Sequence, residues 1–295
     1  MSRHSVIDVG SNTIHLLVGE VDGGEVLPVT GEKISARLGA GVEKKGRIED
    51  ERLTLAAEAI GLFSRIAALN GAEEPVLLAT SAVRDAENGP ELAERVRELT
   101  GLKMRLISGE EEATLGFRGA VSAVGASWEG PALVVDLGGG SAQLIVGEAS
   151  SGPLMQVSLP LGSNRTTERF VENDPAKKKE LRALDEHVKG VMPGWGLSQR
   201  VSVVAVGGSA RAILKITRDT LTVERMRRLA LKVSECPSAV LAREHGLAPE
   251  RALVLPAAIT TLAAIMEHFD RDELTVARGG LREGTLLTLA EGKEI

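Results

Sequence analysis

A chain of 295 residues that is 43% hydrophobic and 26% charged has room for two domains with buried cores and is too apolar to be disordered. A net charge of -6, with no tyrosine, four Phe and two Trp, argues against a non-specific nucleic-acid surface and against a base-stacking platform. The lone Cys236 excludes an internal disulfide framework and fits a reducing cytoplasm, while neither the N-terminus nor ALVLPAAITTLAAIM (252–266) supplies a signal-peptide core or a membrane span.

Residues 4–20 read as two strands around a tight Gly10-Ser11-Asn12 turn, and alternation near 25–35 adds a third. An amphipathic helix follows, with Leu53, Ala56, Ala57, Ile60, Phe63 and Ala67 on one face and Gly71 to end it. PVLLAT is a short buried strand. A charged helix from about Ala86 to Leu99, the strand MRLIS and a helix over SGEEEATLGFRGAV come next. The plan then repeats: a strand at 132–137, a hairpin to Glu148, and the strand LMQVSLP. Two helices precede the strand VSVVAV, with Asp174-Pro175 as N-cap and first position of the second helix. Further helices fill 209–268, LTVA is a late strand, and LREGTLLTLAEG is the last helix.

The repeat is visible residue by residue. VIDVGSNTIHLLVGE (6–20) aligns without a gap on VVDLGGGSAQLIVGE (134–148), sharing the aspartate, a turn glycine and the closing Val-Gly-Glu. A glycine-rich turn exposes backbone N–H groups in a small concavity that suits phosphate. The aspartate ahead of each turn would repel phosphate directly, but it suits Mg²⁺, which takes one or two carboxylates plus phosphate oxygens. For one copy, an aspartate capping a tight hairpin is an equal account; two copies in matching register favour the ligand role. Such duplication predicts an α/β chain of two related domains, 1–120 and 121–280; the helix at about 281–295 is a candidate to pack back on the first.

The acidic run 110–112 sorts by helix geometry. Ser108 and Glu111 have capping-box spacing, and Glu110 sits beside the positive helix end. Glu112 lies outside the box and points about 100° from Glu111. GVEKKGRI lacks the Lys-Ser/Thr of a P-loop, and the five histidines lack zinc-ligand spacing.

The paired hairpins resemble those of the actin, hsp70 and sugar-kinase superfamily. Within it, ATSAVRDAEN (79–88), LISGEEEATLGFRGA (106–120), SLPLGSNRTTERF (158–170) and GGLREGTLL (279–287) closely resemble the exopolyphosphatase/guanosine pentaphosphate phosphohydrolase (Ppx/GppA) family, from residue 5 to about 290. The resemblance implies two duplicated ribonuclease H-like (actin-like ATPase) domains with an active-site cleft between them. It implies removal of terminal orthophosphate from inorganic polyphosphate, with Mg²⁺ (Mn²⁺ as alternative) held by Asp8 and Asp136. Glu112 matches the family's general base and Arg84 its phosphate-contacting arginine. Gly10, Ser11 and Asn12, Gly138, Gly139, Gly140 and Ser141, and Gly207, Gly208 and Ser209 match its phosphate-binding turns. Arg165 and Arg211 are equally well read as added positive charge or as solvated arginines. One departure stands out: the family usually has a glutamate where this chain has Gln143. The alternatives are a guanosine pentaphosphate (pppGpp) phosphohydrolase of the stringent response and a sensor that lost turnover through Gln143; an ATP-dependent kinase ranks last. A cytoplasmic homodimer is expected, without nucleic-acid or membrane partners. Longer family members continue past the LREG helix, and this sequence stops there, from which a preference for short polyphosphate is expected.

Overall fold

In a computed structural model, which describes residues 2–125, 128, 130–198, 201–218 and 220–295, the apolar alternation of the first hairpin is resolved into two buried faces. Strand β1 (His4–Val9) pairs antiparallel with β2 (Ile14–Asp22), which pairs antiparallel with β3 (Glu25–Ile34). Parallel strands β4 (Val76–Ala79) and β5 (Met104–Leu106) extend the sheet on the β1 side, giving the order β3-β2-β1-β4-β5. Ile7, Val9, Leu16 and Val18 pack with Leu53, Ile60 and Phe63 of α2 (Asp50–Leu69) in one cluster. Val6, Leu17 and Leu78 pack with Leu115 of α5 (Gly109–Val124) and Leu281 and Leu286 of α13 (Leu281–Ala290) in another. A sheet covered on both faces needs near-continuous apolar strands, and the chain provides them. Because side chains alternate, Asp8 continues the Val6 side of β1, the side on which α5 packs.

Two further helices complete this unit: α3 (Ser81–Asp85) and α4 (Gly89–Thr100), with the single turn α1 (Val42–Lys45) ahead of α2. The charged helix thus starts at Gly89, not at Ala86, which is extended (ψ 133°). Helix α13 sits directly against α5. A Cβ on Gly119 would come within 2.0 Å of the Gly280 carbonyl oxygen, and one on Gly284 within 1.9 Å of the Leu115 oxygen. Met1–Trp128 and Gly279–Ile295 together form one compact unit, and Glu129–Arg278 the other.

The second unit repeats the core of the first. Strands β6 (Ala132–Leu137), β7 (Ala142–Glu148) and β8 (Gly152–Leu159) form the antiparallel meander, and β9 (Ser202–Val206) pairs parallel with β6. With β10 (Leu221–Thr222) and β11 (Glu273–Val276) the order is β10-β11-β9-β6-β7-β8. Even the irregularities match: the β2–β3 register shifts at Val18/Gly19 and the β7–β8 register at Val146/Gly147, which are equivalent positions in the ungapped alignment. Helices α6 (Ser163–Phe170), α7 (Lys178–Val191), α8 (Gly207–Thr217), α9 (Val223–Val233), α10 (Ser238–His245), α11 (Pro249–Leu253) and α12 (Leu255–His268) surround the sheet, and α12 is buried from Leu255 to Met266.

One predicted cap is corrected. Helix α7 starts at Lys178 with Lys177 at its N-cap, where the Lys177 amide donates to Glu180 (2.8 Å). Asp174 instead accepts from the Ser238 amide (2.8 Å) and hydroxyl (2.6 Å), tying its loop to α10. A carboxylate near two helix starts caps the one whose donors reach it, and that choice is tertiary.

Candidate active site

In the first unit, β1 ends at Val9 and the chain turns through Gly10 to Thr13, closed by the Gly10 amide on the Thr13 carbonyl (3.3 Å). The neighbouring parallel strand β4 delivers α3 beside this turn. Thr80 donates its amide to the Val9 carbonyl (3.3 Å), and the Ser11 and Ser81 hydroxyls are 2.9 Å apart. The segment after β3 folds back over the same turn: the Gly39 amide donates to the Ser11 carbonyl (2.7 Å) and the Arg37 amide to that of Asn12 (2.9 Å). Gly39 permits this approach, since a Cβ there would lie 2.9 Å from the Ser11 Cβ. With the carbonyls occupied, the Ser11 and Asn12 amides find no acceptor among the described residues.

Arg84 lies near the end of α3 and is pinned by its Nη1, which donates to the Ile107 carbonyl beyond β5 (2.8 Å). From there Nη1 stands 3.7 Å from Glu112 Oε2, and the Glu112 side chain is only 13% exposed. The capping box absorbs the adjacent glutamate. Glu111 accepts from the Ser108 amide (2.7 Å), gives its own amide to Ser108 Oγ (3.1 Å) and pairs with Arg105 (2.6 Å). Those contacts, the Ser108 amide foremost and then Arg105, hold the Glu111 carboxyl below its ordinary value. The two glutamates are thereby separated: one caps a helix, and the other is shielded beside a guanidinium.

In the second unit, Gly138 to Ser141 form the equivalent turn, closed by the Gly138 amide on the Ser141 carbonyl (3.0 Å). Here too the segment after the third strand folds back. Ser163 and Asn164 donate their amides to the Gly138 and Gly139 carbonyls (both 2.9 Å), and Arg165 Nε donates to that of Gly140 (2.8 Å). Gly162 makes the crossing possible, because its Cβ would lie 2.3 Å from the Gly139 and Gly140 carbonyl carbons. The Gly139 and Gly140 amides find no acceptor among the described residues, so the turn presents donors, as a phosphate nest requires.

Gly207-Gly208-Ser209 is the third turn that the resemblance implies. The structure brings it to the same place. Gly207, with φ 93°, crosses so near Asp136 that a Cβ would lie 2.8 Å from its Oδ1. Ser209, fully buried, has its hydroxyl 3.4 Å from that of Ser163, whose own oxygen lies 3.2 Å from the Gly138 carbonyl. The start of α8 is therefore stitched to the GGGS turn. Beside it stands a cation that the sequence did not reveal: Arg251 of α11 donates to Ser209 Oγ (3.0 Å), and its Nη2 would lie 2.7 Å from a Cβ on Gly208. Burial first, then the nearby charge of Arg211, push this guanidinium below its ordinary value, against the pull of Glu250. Two arginines beside the start of a helix form an electropositive spot suited to an anion. Arg165, by contrast, is committed to the turn carbonyl.

A metal ion tests differently. Among the described residues no three His, Cys, Asp or Glu side chains gather as a cage. Each aspartate alone suits Mg²⁺ that arrives with phosphate, and the missing Cβ of Gly207 leaves room beside Asp136 Oδ1. Among the same residues no helix is long and apolar enough to cross a membrane.

A model of the Ppx/GppA phosphatase family matches residues 17–292. This chain belongs to the Ppx/GppA phosphatase family. Exopolyphosphatase 1 of Mycobacterium tuberculosis (strain ATCC 25618 / H37Rv) is 30% identical over 302 residues, which cover 97% of this chain and 87% of that protein. The Mycobacterium leprae (strain TN) exopolyphosphatase 1 is 29% identical, over 97% and 88%. Among solved structures, a Ppx/GppA family member from Aquifex aeolicus matches with a TM-score of 0.80 at 25% identity, covering 99% and 98% of the two chains. An exopolyphosphatase from Cytophaga hutchinsonii matches with a TM-score of 0.88 at 23% identity, over 99% of each, and shows the fold. The α/β architecture of two mixed sheets is thus that of Ppx/GppA proteins, the actin-like ATPase fold that the paired hairpins suggested.

Proposed function

We propose that this chain is an exopolyphosphatase, hydrolysing the terminal phosphoanhydride bond of inorganic polyphosphate to release orthophosphate. The observation that carries the reading is Glu112. It is shielded at 13% exposure and 3.7 Å from Arg84, while its neighbour Glu111 is consumed by the helix cap. A carboxylate so placed suits the activation of water, and a guanidinium beside it suits stabilisation of the transferring phosphoryl group. The donor-rich turns at Gly10 to Asn12 and at Gly138 to Ser141 each suit a phosphoryl group, with Ser209, Arg211 and Arg251 adding hydroxyl and charge beside the second. Divalent cations, Mg²⁺ first and Mn²⁺ second, would be held through water by Asp8 in one unit and by Asp136 in the other and would neutralise phosphate charge. The names of the mycobacterial relatives support the substrate class.

The competing substrate is guanosine pentaphosphate, whose 5'-terminal phosphoanhydride is the same kind of bond. Initial rates of orthophosphate release from polyphosphate, guanosine pentaphosphate and ATP, compared side by side with Mg²⁺, test the reading. Polyphosphate is expected to be cleaved fastest. A faster rate on the pentaphosphate reassigns the substrate, and no release from any of the three makes the chain a binding protein.

A further inference from the structure

Gln143 is 1% exposed, uncharged and opposite Asp136 in the β6–β7 register, with Ser158 opposite it on β8. Directly paired residues on neighbouring strands project from the same face, so Asp136, Gln143 and Ser158 form one row. The Gln143 amide nitrogen lies 2.8 Å from Ser141 Oγ and 2.9 Å from Ser158 Oγ. An amide nitrogen carries two protons, and this geometry uses both. Each serine oxygen is therefore an acceptor toward Gln143. A hydroxyl has a single proton, so that of Ser141 must point elsewhere, and no acceptor for it exists among the described residues.

We propose that Gln143 is a positioning residue that turns the Ser141 hydroxyl into a hydrogen-bond donor for a phosphoryl oxygen. The turn then presents only donors: the amides of Gly139 and Gly140 and the Ser141 hydroxyl. That pattern matches a fully ionised phosphoryl group, which can only accept. A carboxylate at position 143 can itself only accept. It would draw the Ser141 proton toward itself and leave lone pairs facing the phosphate. Gln143 on this account is a working part of the turn, not the remnant of a charged ligand.

The inference rests on reading the Gly138 to Ser141 turn as a phosphate site, so its test reads binding apart from turnover. Tripolyphosphate binding with Mg²⁺ is measured by calorimetry, and phosphate release by steady-state kinetics, for wild type, Gln143→Glu, Ser141→Ala and the double variant. Gln143→Glu is expected to weaken binding about tenfold, the scale of one hydrogen bond to a charged group, with the loss in KM more than in kcat. In the Ser141→Ala background the same change should cost less than about threefold, because the residue through which it acts is gone. Gln143→Met removes the donors without adding charge and should weaken binding a few-fold, again only where Ser141 is present; it serves if the Glu variant does not fold. Equal losses in both backgrounds would mean long-range charge, and unchanged or tighter binding by Gln143→Glu would mean a lapsed metal ligand; either overturns the proposal. A wild type that binds tripolyphosphate without hydrolysing it sinks the hydrolase reading alone, and one that binds none sinks both.

Discussion

The two hairpin turns share backbone and differ in company. Each follows an aspartate at the end of a central strand and is crossed by the segment after the third strand through a glycine, Gly39 in one and Gly162 in the other. Yet the aspartates face different partners across their ladders, His15 for Asp8 and Gln143 for Asp136. Around the first turn gather Ser81 of α3 and, from the same short helix, Arg84 with Glu112. Around the second gather Gln143, Ser163, Ser209 and Arg251. In one unit a shielded glutamate stands beside a cation, and in the other hydroxyls and cations gather around the turn. The difference teaches that the nest is shared, and that the helices packed around it decide which side chains stand beside it.

The largest expected effect tests that division. Glu112→Gln should lower kcat by about 10²–10⁴, the usual cost of losing a general base, with tripolyphosphate binding nearly intact. Retention of more than half the activity would move the base elsewhere. Next is the crossing itself. Gly162→Ala drives a Cβ into the backbone of Gly139 and Gly140 and should destabilise by about 1–3 kcal/mol or more in urea unfolding. Gly39→Ala meets the Ser11 Cβ at 2.9 Å and the Ser11 carbonyl oxygen at 3.3 Å, looser than the 2.3 Å approach at Gly162, and should cost less. The reverse ranking would deny that the crossing at Gly162 is the tighter of the two.

Arg251→Gln should raise KM for polyphosphate about tenfold, with a smaller change in kcat, as expected of a cation that binds phosphate without taking part in the chemistry. A kcat loss as large as that of Glu112→Gln would place chemistry there as well. Smaller still, Glu111→Ala should cost about 1 kcal/mol of stability through the lost cap while each folded molecule keeps its kcat. It is the control for its neighbour.

The smallest effect concerns the ion network of α7, α9 and α12. Glu267 is lowered from 4.5 to about 2, chiefly by the hydrogen bond from Arg227 and then by that from Lys189, against burial. A carboxyl depressed on folding contributes stability that is complete above its unfolded value and lost as pH falls through the folded one. Glu267→Gln should therefore cost about 1 kcal/mol or less at neutral pH, the scale of a partly exposed pair. The gap to wild type should close between about pH 4.5 and 2. Denaturant unfolding at stepped pH checks it, and a gap that widens in acid would deny the pairing.

What the sequence alone determined was local or repeated. The hairpins announced themselves because side-chain alternation and turn glycines act within a few residues, and duplication made the two aspartates comparable. Ser108 and Glu111 likewise formed the box that their spacing allowed, which left Glu112 as the unassigned carboxylate. Tertiary structure decided the rest. Helix α3 is five residues long, too short to show a period, and it forms because β4 sets Thr80 against the Val9 carbonyl. Asp174 served Ser238, not the helix after it, because a loop brought α10 within its reach. Arg251 sits in an ordinary helical stretch with no motif of its own, and only the packing of α11 against the start of α8 places its charge at Ser209. Spacing along the chain reveals which groups can share a turn or a helix face. Contacts between residues distant in sequence depend on how layers pack, and no local pattern encodes them.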